Sequence, residues 1–471
     1  MKPIWTSDRL IAALGGSVSG AISDISGVSI DTRTLQPGDL FVALTGDSRD
    51  GHAFVRAAFD KGAAAALINV AHHAELQNTG PVIAVEDTLD SLRHSLRHLG
   101  VAARERSSAR ICAVTGSVGK TGTKDALRTV LALQGEAHAS VASYNNHFGV
   151  PLTLARMPET TCYGVFEIGM NHAGEITPLS KMVRPHVALV TTVEAVHLEF
   201  FDSVAGIADA KGEIFAGLEQ GGTAVLNLDN PHFDRLVGYA KERAGRIVSF
   251  GAAEGADVRL VTLALDPEHS TLEIDYLGKR MRYVYGSPGR HLALNSLAVL
   301  ACVGALGADV DAAAGAFSAI KPPPGRGQKF RIGAGDDAIT IIDESYNANP
   351  ASMRAALAVL GAAATGKNGR RIAVLGDMLE LGPAAPTLHA EIAEAIEASG
   401  ADLAFLCGPL MKNAWDALPV RIRGAYAGDS AALESQVTRA LTSGDTLMIK
   451  GSLGSRMGRI VEAVKKQSAG T

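Results

Sequence analysis

Short apolar runs alternate with longer amphipathic stretches along most of this 471-residue chain. Between residues 110 and about 320, four apolar runs of strand length predict buried strands, and the amphipathic stretch after the first run predicts a helix. The runs are RICAVTG, GVFEIG, HVALVTT and TAVLNLD, and the helical stretch is KTGTKDALRTVLAL. Buried strands separated by helices are typical of a mostly parallel sheet with both faces covered. From about 257 to 285, apolar and polar positions alternate, which predicts antiparallel strands extending the sheet at its edge.

The same patterning divides the chain into three predicted domains, 1–108, 109–322 and 323–471. The first contains the strand-like run DLFVALTG and closes on an amphipathic helix that ends in polar residues. The stretch KPPPGRGQ at 321–328 cannot continue a helix and predicts a rigid hinge. Beyond it the runs AITIIDES, RIAVLGD, ADLAFLCG and DTLMIKG resume the strand–helix rhythm, which predicts a Rossmann-like domain. The predicted fold class is therefore α/β throughout.

Composition narrows the class of protein. The net charge is −5, and no basic footprint of the kind that grips nucleic acid is visible in the total. The four cysteines lie far apart without a CxxC pair, which argues against a zinc site or a disulfide framework and fits a reducing compartment. Apolar runs long enough for a signal peptide or a membrane helix are missing from the sequence. We expect a cytoplasmic protein without nucleic-acid partners or membrane insertion.

A phosphate-binding loop is predicted where the strand RICAVTG meets the following helix. Glycines let backbone N–H groups close on phosphate oxygens, and the helix N-terminus adds the positive end of its dipole. The loop is shorter than the full Walker pattern, because Val114 stands where that pattern has glycine. An ordinary strand–turn–helix junction with a surface lysine is the alternative interpretation. The predicted loop consists of Gly116, Ser117, Val118, Gly119, Lys120 and Thr121.

Two further candidates follow strands of the same predicted sheet. Glu167 ends the strand of GVFEIG, and His197 comes shortly after the strand of HVALVTT. Ligands of parallel sheets bind beyond the carboxyl ends of the strands, so both residues are candidate Mg²⁺ ligands beside the loop. A helix-capping or ion-paired glutamate and a packing histidine are the plainer alternatives.

Lys211 stands in an apolar stripe. The segment GIADAKGEIFAGL predicts one helix, and Lys211 falls in the middle of its apolar face. A lysine in such a place must find a partner, lose its proton or be modified, although snorkelling or an ion pair also explains it. A bare ammonium would repel Mg²⁺, whereas a lysine carbamylated by CO₂ carries a carboxylate-like head that could bind it. The other members of the stripe are Ile207, Ile214, Phe215 and Leu218.

At these candidate residues the chain closely resembles the Mur ligase family, whose members build the peptide of the peptidoglycan precursor. The resemblance covers essentially all three predicted domains. It rests on motifs that occur in the family's order: TGSVGKT, FEIGMNHAGEI, HLEFF, AKGEIF, LNLDN, SPGRHLALNSLA, PPPGRGQ, DESYNANPASM, LGDMLELG and IKGSLGSRM. Each motif is weak alone, but together and in order they are specific.

The resemblance implies roles around ATP. Lys120 and the loop backbone would hold the phosphates, Thr121 and Glu167 one Mg²⁺, and His197 with a carbamylated Lys211 a second Mg²⁺. Three more residues resemble nucleotide contacts: Asn295 for adenine, and Arg326 and Asp343 for phosphates and ribose. A polar helix surface, a hinge-loop cation and a strand-end turn residue are the respective alternatives.

The resemblance also implies the other substrates. NNHFGVPLTL, EIGMNHAGEI and DESYNANP look most like the family member that joins D-alanyl-D-alanine to UDP-N-acetylmuramoyl-tripeptide. The N-terminal segment VSIDTRTLQPGDLFVAL looks like the family's UDP-binding domain, although a plain turn also explains its polar residues. The substrate candidates implied in this way are Ser29, Asp31, Arg33, Asn145, Asn146 and His172.

Three other functions stay open from the sequence. A sister ligase that adds a diamino acid would keep the chemistry and change the second substrate. A folylpolyglutamate synthetase shares the central and C-terminal design, but the UDP-type N-terminal domain argues against it. A nucleotide-dependent binding or switch protein would release no ligation product. A monomer is the expected state in each case.

Overall fold

The computed structural model describes residues 3–45, 50–86, 91–141, 143–196 and 198–468. Each of the three predicted segments builds its own sheet, of five, nine and six strands. The prediction of a mostly parallel α/β fold is thereby confirmed, whereas the domain boundaries stay predictions. Among the described residues, no helix combines the length and apolar character needed to cross a membrane.

The N-terminal sheet has the strand order β1-β5-β4-β3-β2, and only β1 runs antiparallel to its neighbour. Consecutive β3 residues pack into different clusters, Leu40 and Val42 on one face and Phe41 on the other, as the two-residue period of a strand requires. The strands are β1 Ser17–Ser19, β2 Gly27–Ser29, β3 Asp39–Val42, β4 Ala65–Asn69 and β5 Val82–Val85. The helices are α1 Ser7–Leu14, α2 Val55–Asp60, α3 His73–Leu76 and α4 Ser91–Glu105.

The central sheet has the order β14-β13-β12-β11-β10-β9-β6-β8-β7, which places β6 between β9 and β8. The residues Ile111 and Cys112 of β6 pack on opposite faces and are both fully buried, which explains the uninterrupted apolar run. Antiparallel pairing joins β12 to β13 and β13 to β14, as the alternating pattern predicts. The strands are β6 Arg110–Thr115, β7 Ala137–Ala139, β8 Tyr163–Glu167, β9 Val187–Val190, β10 Thr223–Asn227, β11 Arg246–Gly251, β12 Val258–Leu265, β13 Ser270–Tyr276 and β14 Lys279–Tyr285. The helices are α5 Lys120–Ala132, α6 Gly149–Ala155, α7 Ile176–Val183, α8 Val204–Gly212, α9 Phe233–Ala240, α10 Arg290–Ala305 and α11 Val310–Ala316.

The prediction of one helix over GIADAKGEIFAGL was wrong at its centre. The α-helix α8 ends at Gly212, and a 3₁₀ helix follows over Glu213–Gly217. Two close approaches accompany the change: a side chain on Gly212 would meet the ring of Tyr239, and one on Gly217 would collide with the backbone of Ser180. The missing side chains of these two glycines allow the chain to lie this close to its neighbours.

The C-terminal sheet has the order β15-β16-β20-β17-β18-β19, with β15 as an antiparallel edge strand. After β16 a short turn leads into α12, which begins with a capping box between Asn349 and Ser352 and with Pro350 in its first turn. The strands are β15 Gln328–Ile332, β16 Ile339–Glu344, β17 Arg371–Gly376, β18 Leu403–Cys407, β19 Arg423–Ala427 and β20 Thr446–Lys450. The helices are α12 Pro350–Ala362, α13 Ala385–Ala390, α14 Ile392–Ala398, α15 Met411–Ala417, α16 Ser430–Ala440 and α17 Gly458–Ser468.

Candidate active site

A cavity of about 1210 Å³ lies between the central sheet and the C-terminal segment. Its central wall is formed where β6, β8, β9 and β10 end, and it includes the predicted phosphate loop, Glu167 and Thr191. Its C-terminal wall includes Glu344 and Lys450, the last residues of β16 and β20. The carboxyl ends of two parallel sheets therefore meet around one space, the place where ligands of such sheets bind.

The phosphate loop has a backbone that glycine makes accessible. Gly116 has a φ of 145° and Gly119 a φ of 89°, both in the region that favours glycine. A side chain on Gly116 would collide with Thr191, and one on Gly119 would lie 2.7 Å from the Asn295 Nδ2 atom. Thr191 Oγ1 donates to the carbonyl of Val118 at 2.6 Å, so the segment after β9 braces the loop.

Lys120 begins α5 and folds back over the loop. Its Nζ donates to the Gly116 carbonyl at 2.6 Å. Burial lowers the pKa of Lys120 below its ordinary value, and the nearby Arg326 lowers it further, while Glu167 opposes the shift. An ammonium held at the mouth of a glycine loop is placed to meet phosphate oxygens.

Thr121 and Glu167 come together as a pair of oxygen donors. The Thr121 hydroxyl donates to Glu167 Oε2 at 2.9 Å, and the Asn145 amide donates to Glu167 Oε1 at 2.8 Å. The Glu167 side chain is buried at the end of β8, so these contacts hold it in one orientation. A hydroxyl beside a carboxylate is a donor set that suits a hard cation such as Mg²⁺.

The C-terminal segment reaches the same place through Arg326. Its Nη2 lies 3.4 Å from the Ser143 hydroxyl, which is itself 3.3 Å from the Thr121 hydroxyl. The Arg326 guanidinium also stacks over the Tyr346 ring, with 4.1 Å between its Cζ and the ring centroid. This stacking fixes a permanent positive charge at the cavity wall.

Lys211 is buried in α8, outside the cavity wall. Its side chain is 2% exposed, and within the described part of the chain no carboxylate or other hydrogen-bond acceptor pairs with its Nζ. Burial lowers the pKa of Lys211 well below its ordinary value, and the charge of Lys120 lowers it further. The predicted partner His197 lies outside the described residues.

Comparison with known proteins decides the family. Models of the "Mur ligase family, catalytic domain", the "Mur ligase middle domain" and the "Mur ligase, glutamate ligase domain" match residues 24–106, 114–303 and 325–453. The UDP-N-acetylmuramoyl-tripeptide–D-alanyl-D-alanine ligase of Escherichia coli is 34% identical over 463 residues, which cover 98% of each chain. The chain belongs to the Mur ligase family. The ligase of the same name from Rickettsia prowazekii is 32% identical over 98% of this chain and 99% of that one. The crystal structure of MurF from Acinetobacter baumannii superimposes with a TM-score of 0.84 at 27% identity, over 99% of each chain.

Of the nucleotide candidates in this Mur ligase, Asn295 and Arg326 line the cavity and Asp343 does not. The Asp343 carboxylate turns back onto Ser345, whose hydroxyl donates to it at 2.6 Å. The next residue, Glu344, lines the cavity instead, because successive side chains of a strand point to opposite faces. The roles predicted for these residues stay predictions.

The N-terminal substrate candidates form a turn of their own. Asp31 accepts from Arg33 Nε at 3.0 Å, and hydrogen bonds from the Arg33 side chain and backbone lower the pKa of Asp31 to about 2. The Ser29 hydroxyl donates to the Asp31 carbonyl at 3.0 Å. Arg156, at the end of α6, donates through its Nε to the carbonyl of Val28 at 2.6 Å, so the strand that leads into this turn contacts the central segment. None of the three candidates lines the described cavity.

The central substrate candidates differ in position. Asn145 lines the cavity and orients Glu167, as described above. Asn146 also lines it, but its side chain caps the start of α6 by accepting from the Phe148 and Gly149 backbone. His172 is exposed, pairs with Glu175 at 3.0 Å, and does not line the described cavity.

Several charged residues of the cavity were not predicted from the sequence, among them Glu344 and Lys450. Each ends a buried parallel strand, and the two strands pair so that these residues are neighbours. Lys450 is 2% exposed and its Nζ lies 3.3 Å from Glu344 Oε2. The strand-end rule that identified Glu167 would have found both.

One group in the N-terminal segment has the composition of a metal site, Asp50, His52 and His72. Hydrogen bonding explains it without an ion. His52 Nε2 accepts from the Asn69 backbone at 2.9 Å, so its Nδ1 carries the proton and donates to Asp50 at 2.6 Å. Both ring nitrogens of His52 are therefore engaged, and we assign this group a structural role.

Proposed function

We propose that this Mur ligase joins D-alanyl-D-alanine to UDP-N-acetylmuramoyl-tripeptide with consumption of ATP. The observation that carries the proposal is the extent of the similarity: relatives bearing that name match 98% of the chain at 32–34% identity. The cavity geometry supports the same chemistry, because a glycine loop with Lys120 faces a carboxylate–hydroxyl pair. The products would be the UDP-linked pentapeptide, ADP and phosphate.

Magnesium fits this site. The Thr121 hydroxyl and the Glu167 carboxylate supply oxygen ligands 2.9 Å apart, and a glutamate held by Asn145 is already oriented toward its ligand. We propose that these residues hold one Mg²⁺ and that His197 with a modified Lys211 holds a second. The metal would neutralise charge on the phosphoryl oxygens.

A carbamate on Lys211 is part of this proposal. Reaction with CO₂ needs a neutral amine, and burial beside Lys120 lowers the pKa of Lys211 in the required direction. The amine nitrogen bonds to the carbon of CO₂ and releases one proton, which leaves an anionic head. That anion would be attracted to the Lys120 ammonium, and it would offer oxygen to a cation.

The reaction under this proposal has two steps. The carboxylate of the tripeptide attacks the γ-phosphate of ATP and forms an acyl phosphate, with ADP as the leaving group. The ammonium of D-alanyl-D-alanine gives up a proton to solvent and the resulting amine attacks the acyl carbon. The tetrahedral intermediate then expels phosphate, and the nitrogen releases a second proton as the amide forms. Lys120, the loop N–H groups and Arg326 would offset the charge that spreads over the phosphoryl oxygens. Contact of Arg326 with Ser143 would keep water from the acyl phosphate when the two walls are together.

The substrate assignments rest on likeness alone. We propose that the Ser29–Arg33 turn binds the UDP part of the precursor and that Asn145, Asn146 and His172 lie along the peptide. We also propose a cytoplasmic location and a monomeric state, with no nucleic-acid partner.

Phosphate release tests the function. The assay would contain ATP, Mg²⁺ and UDP-N-acetylmuramoyl-tripeptide, with or without D-alanyl-D-alanine, and mass spectrometry would identify the product. Release that requires the dipeptide and yields the pentapeptide supports the proposal. Release only with a dipeptide precursor and a diamino acid would move the protein one step earlier. Absence of release with either pair would point to a binding or folate-type function.

A further inference from the structure

The C-terminal wall of the cavity carries the carboxylate of Glu344, one oxygen of which has no hydrogen-bond partner among the described residues. Glu344 Oε2 lies 3.3 Å from the Nζ of Lys450, which also donates to the Asn347 carbonyl at 2.8 Å. No described residue forms a hydrogen bond with the other oxygen, Oε1. That oxygen lies beside Gly327, where a side chain would come within 3.2 Å of it. Glycine at 327 thus leaves room next to Glu344 Oε1.

Lys450 restrains the orientation of this carboxylate. The ammonium is 2% exposed, while the Glu344 side chain is 19% exposed at the cavity. A buried lysine with two acceptors has little freedom, so it fixes the Glu344 side chain in one direction. The register of β16 and β20 adds to this, since Glu344 and Lys450 are paired positions on adjacent strands.

The other cavity carboxylates in the described chain are engaged or lie elsewhere. Glu167 accepts from a hydroxyl and an amide, Glu175 from the Asn171 backbone, and Asp229 from the Ala252 and Ala253 backbone. Asp125 pairs with Lys124 at 2.9 Å, and Glu194 adjoins the phosphate loop through Ser117. All five belong to the central segment, which leaves Glu344 as the carboxylate of the opposite wall.

We propose that Glu344 Oε1 receives the ammonium group of the incoming D-alanyl-D-alanine and that Lys450 positions Glu344 for this contact. The inference rests on the proposed function, which supplies a zwitterionic dipeptide as second substrate. The phosphate loop fixes where phosphate leaves, so the attacking amine enters from the wall opposite that loop. A carboxylate on that wall selects a substrate with a free, cationic N-terminus.

The test compares two ligands that differ only in the amine. D-alanyl-D-alanine is the substrate, and propionyl-D-alanine, in which hydrogen replaces the amine, is tested as the amine-free competitor. In the Glu344→Gln variant we expect the KM for the dipeptide to rise about 10- to 100-fold, the usual effect of losing a hydrogen bond to a charged group. The inhibition constant of propionyl-D-alanine and the KM for ATP should stay within about 3-fold of wild type. Glu391→Gln removes an exposed charge from the same segment and serves as the matched control.

A second variant guards against misfolding. Glu344→Gln combined with Lys450→Met removes both charges, so no buried ammonium is left without its partner. It should show the same selective rise in the KM for the dipeptide. An unchanged KM for the dipeptide, or an equal loss of affinity for the dipeptide and for propionyl-D-alanine, would overturn the inference. Dipeptide-dependent phosphate release by the wild type would in that case still support the proposed function. Wild-type protein that releases no phosphate with the dipeptide would overturn both.

Discussion

Replacement of Lys211 by methionine should make the protein more stable and nearly inactive. The side chain is 2% exposed and no described group accepts a hydrogen bond from its amine, so folding removes most of the water around this amine without supplying a described partner. Methionine has a similar length and loses nothing on burial. In the active enzyme the amine would carry the carbamate that methionine cannot form. Stability and activity are therefore expected to change in opposite directions.

The size of the stability change follows from the burial of the amine. Leaving a buried donor unpaired costs about 1–3 kcal/mol, which the variant recovers. At about 2–4 °C for each kcal/mol in a domain of 150–250 residues, this raises Tm by about 2–12 °C. Loss of one charge-stabilising group at a phosphoryl-transfer site should lower kcat by about 100- to 1,000-fold.

The stability difference should also depend on pH. Burial lowers the pKa of Lys211 well below its ordinary value of 10.5, so the folded protein releases this proton at lower pH than the unfolded chain. Between those two values the unfolded chain binds more protons, and wild type gains stability as the pH rises. The difference in free energy of unfolding between the methionine variant and wild type should therefore decrease toward pH 10.5, by at most about 1.4 kcal/mol per pH unit.

The assay pairs thermal unfolding in CO₂-free buffer with phosphate release with and without bicarbonate. Wild type should gain activity from bicarbonate, and the variant should not. In Lys211→Ala, which leaves space, acetate or propionate should restore part of the rate and methylamine should not. A variant with near-normal kcat, or one that loses stability in CO₂-free buffer, would refute the reasoning.

Three further predictions concern the loop, the metal and the C-terminal fold. Gly119→Ala should raise the KM for ATP at least about 10-fold and lower the free energy of unfolding by about 1–3 kcal/mol, because alanine is strained at a φ of 89°. Gly238→Ala, at an open position of α9, is the control and should raise the free energy of unfolding by about 0.5–1 kcal/mol in the same thermal melt. Thr121→Val should raise the Mg²⁺ concentration for half-maximal activity about 10-fold with little change in Tm, and an unchanged metal titration would contradict the assignment. Asp445→Asn should destabilise the fold by about 2–4 kcal/mol in denaturant titration, because the side chain is fully buried and accepts from Arg370 at 2.7 Å. Burial alone would raise the pKa of Asp445, but hydrogen bonds, chiefly from Arg370, lower it below its ordinary value. The stability that Asp445 contributes is therefore present above the pKa of the unfolded chain and is lost as the pH falls through the pKa of the folded protein.

Much of the fold was predictable from the sequence because the strands are buried on both faces. Such strands produce uninterrupted apolar runs, and the runs of β6, β8, β9 and β10 stand out against the amphipathic helices. The same apolar runs predicted the positions of the phosphate loop and Glu167, since each lies where a strand ends. The close approach of Gly212 to the ring of Tyr239 was not predictable, because Tyr239 belongs to another element.

Contacts between distant segments were also beyond the sequence. Arg326 and Ser143 are 183 residues apart along the chain, and no local pattern reports that they meet. The choice between Asp343 and Glu344 shows the other limit. Likeness pointed to the first, while strand geometry turns the second toward the cavity. A shift of one residue along a strand changes which face a side chain occupies.

The position of β6 in the central sheet sets an order of events during synthesis. This strand carries the phosphate loop, and its two neighbours, β8 and β9, are both later in the chain, ending at Glu167 and Val190. A chain leaving the ribosome cannot fix the loop between both neighbours until Val190 has emerged, because the edge of β6 that pairs with β9 stays unpaired until then. The nascent N-terminal segment can pair its own strands well before that point. Nucleotide affinity should therefore arise abruptly, at a chain length beyond Val190. From that length on, bound nucleotide would stabilise the newly formed sheet by mass action.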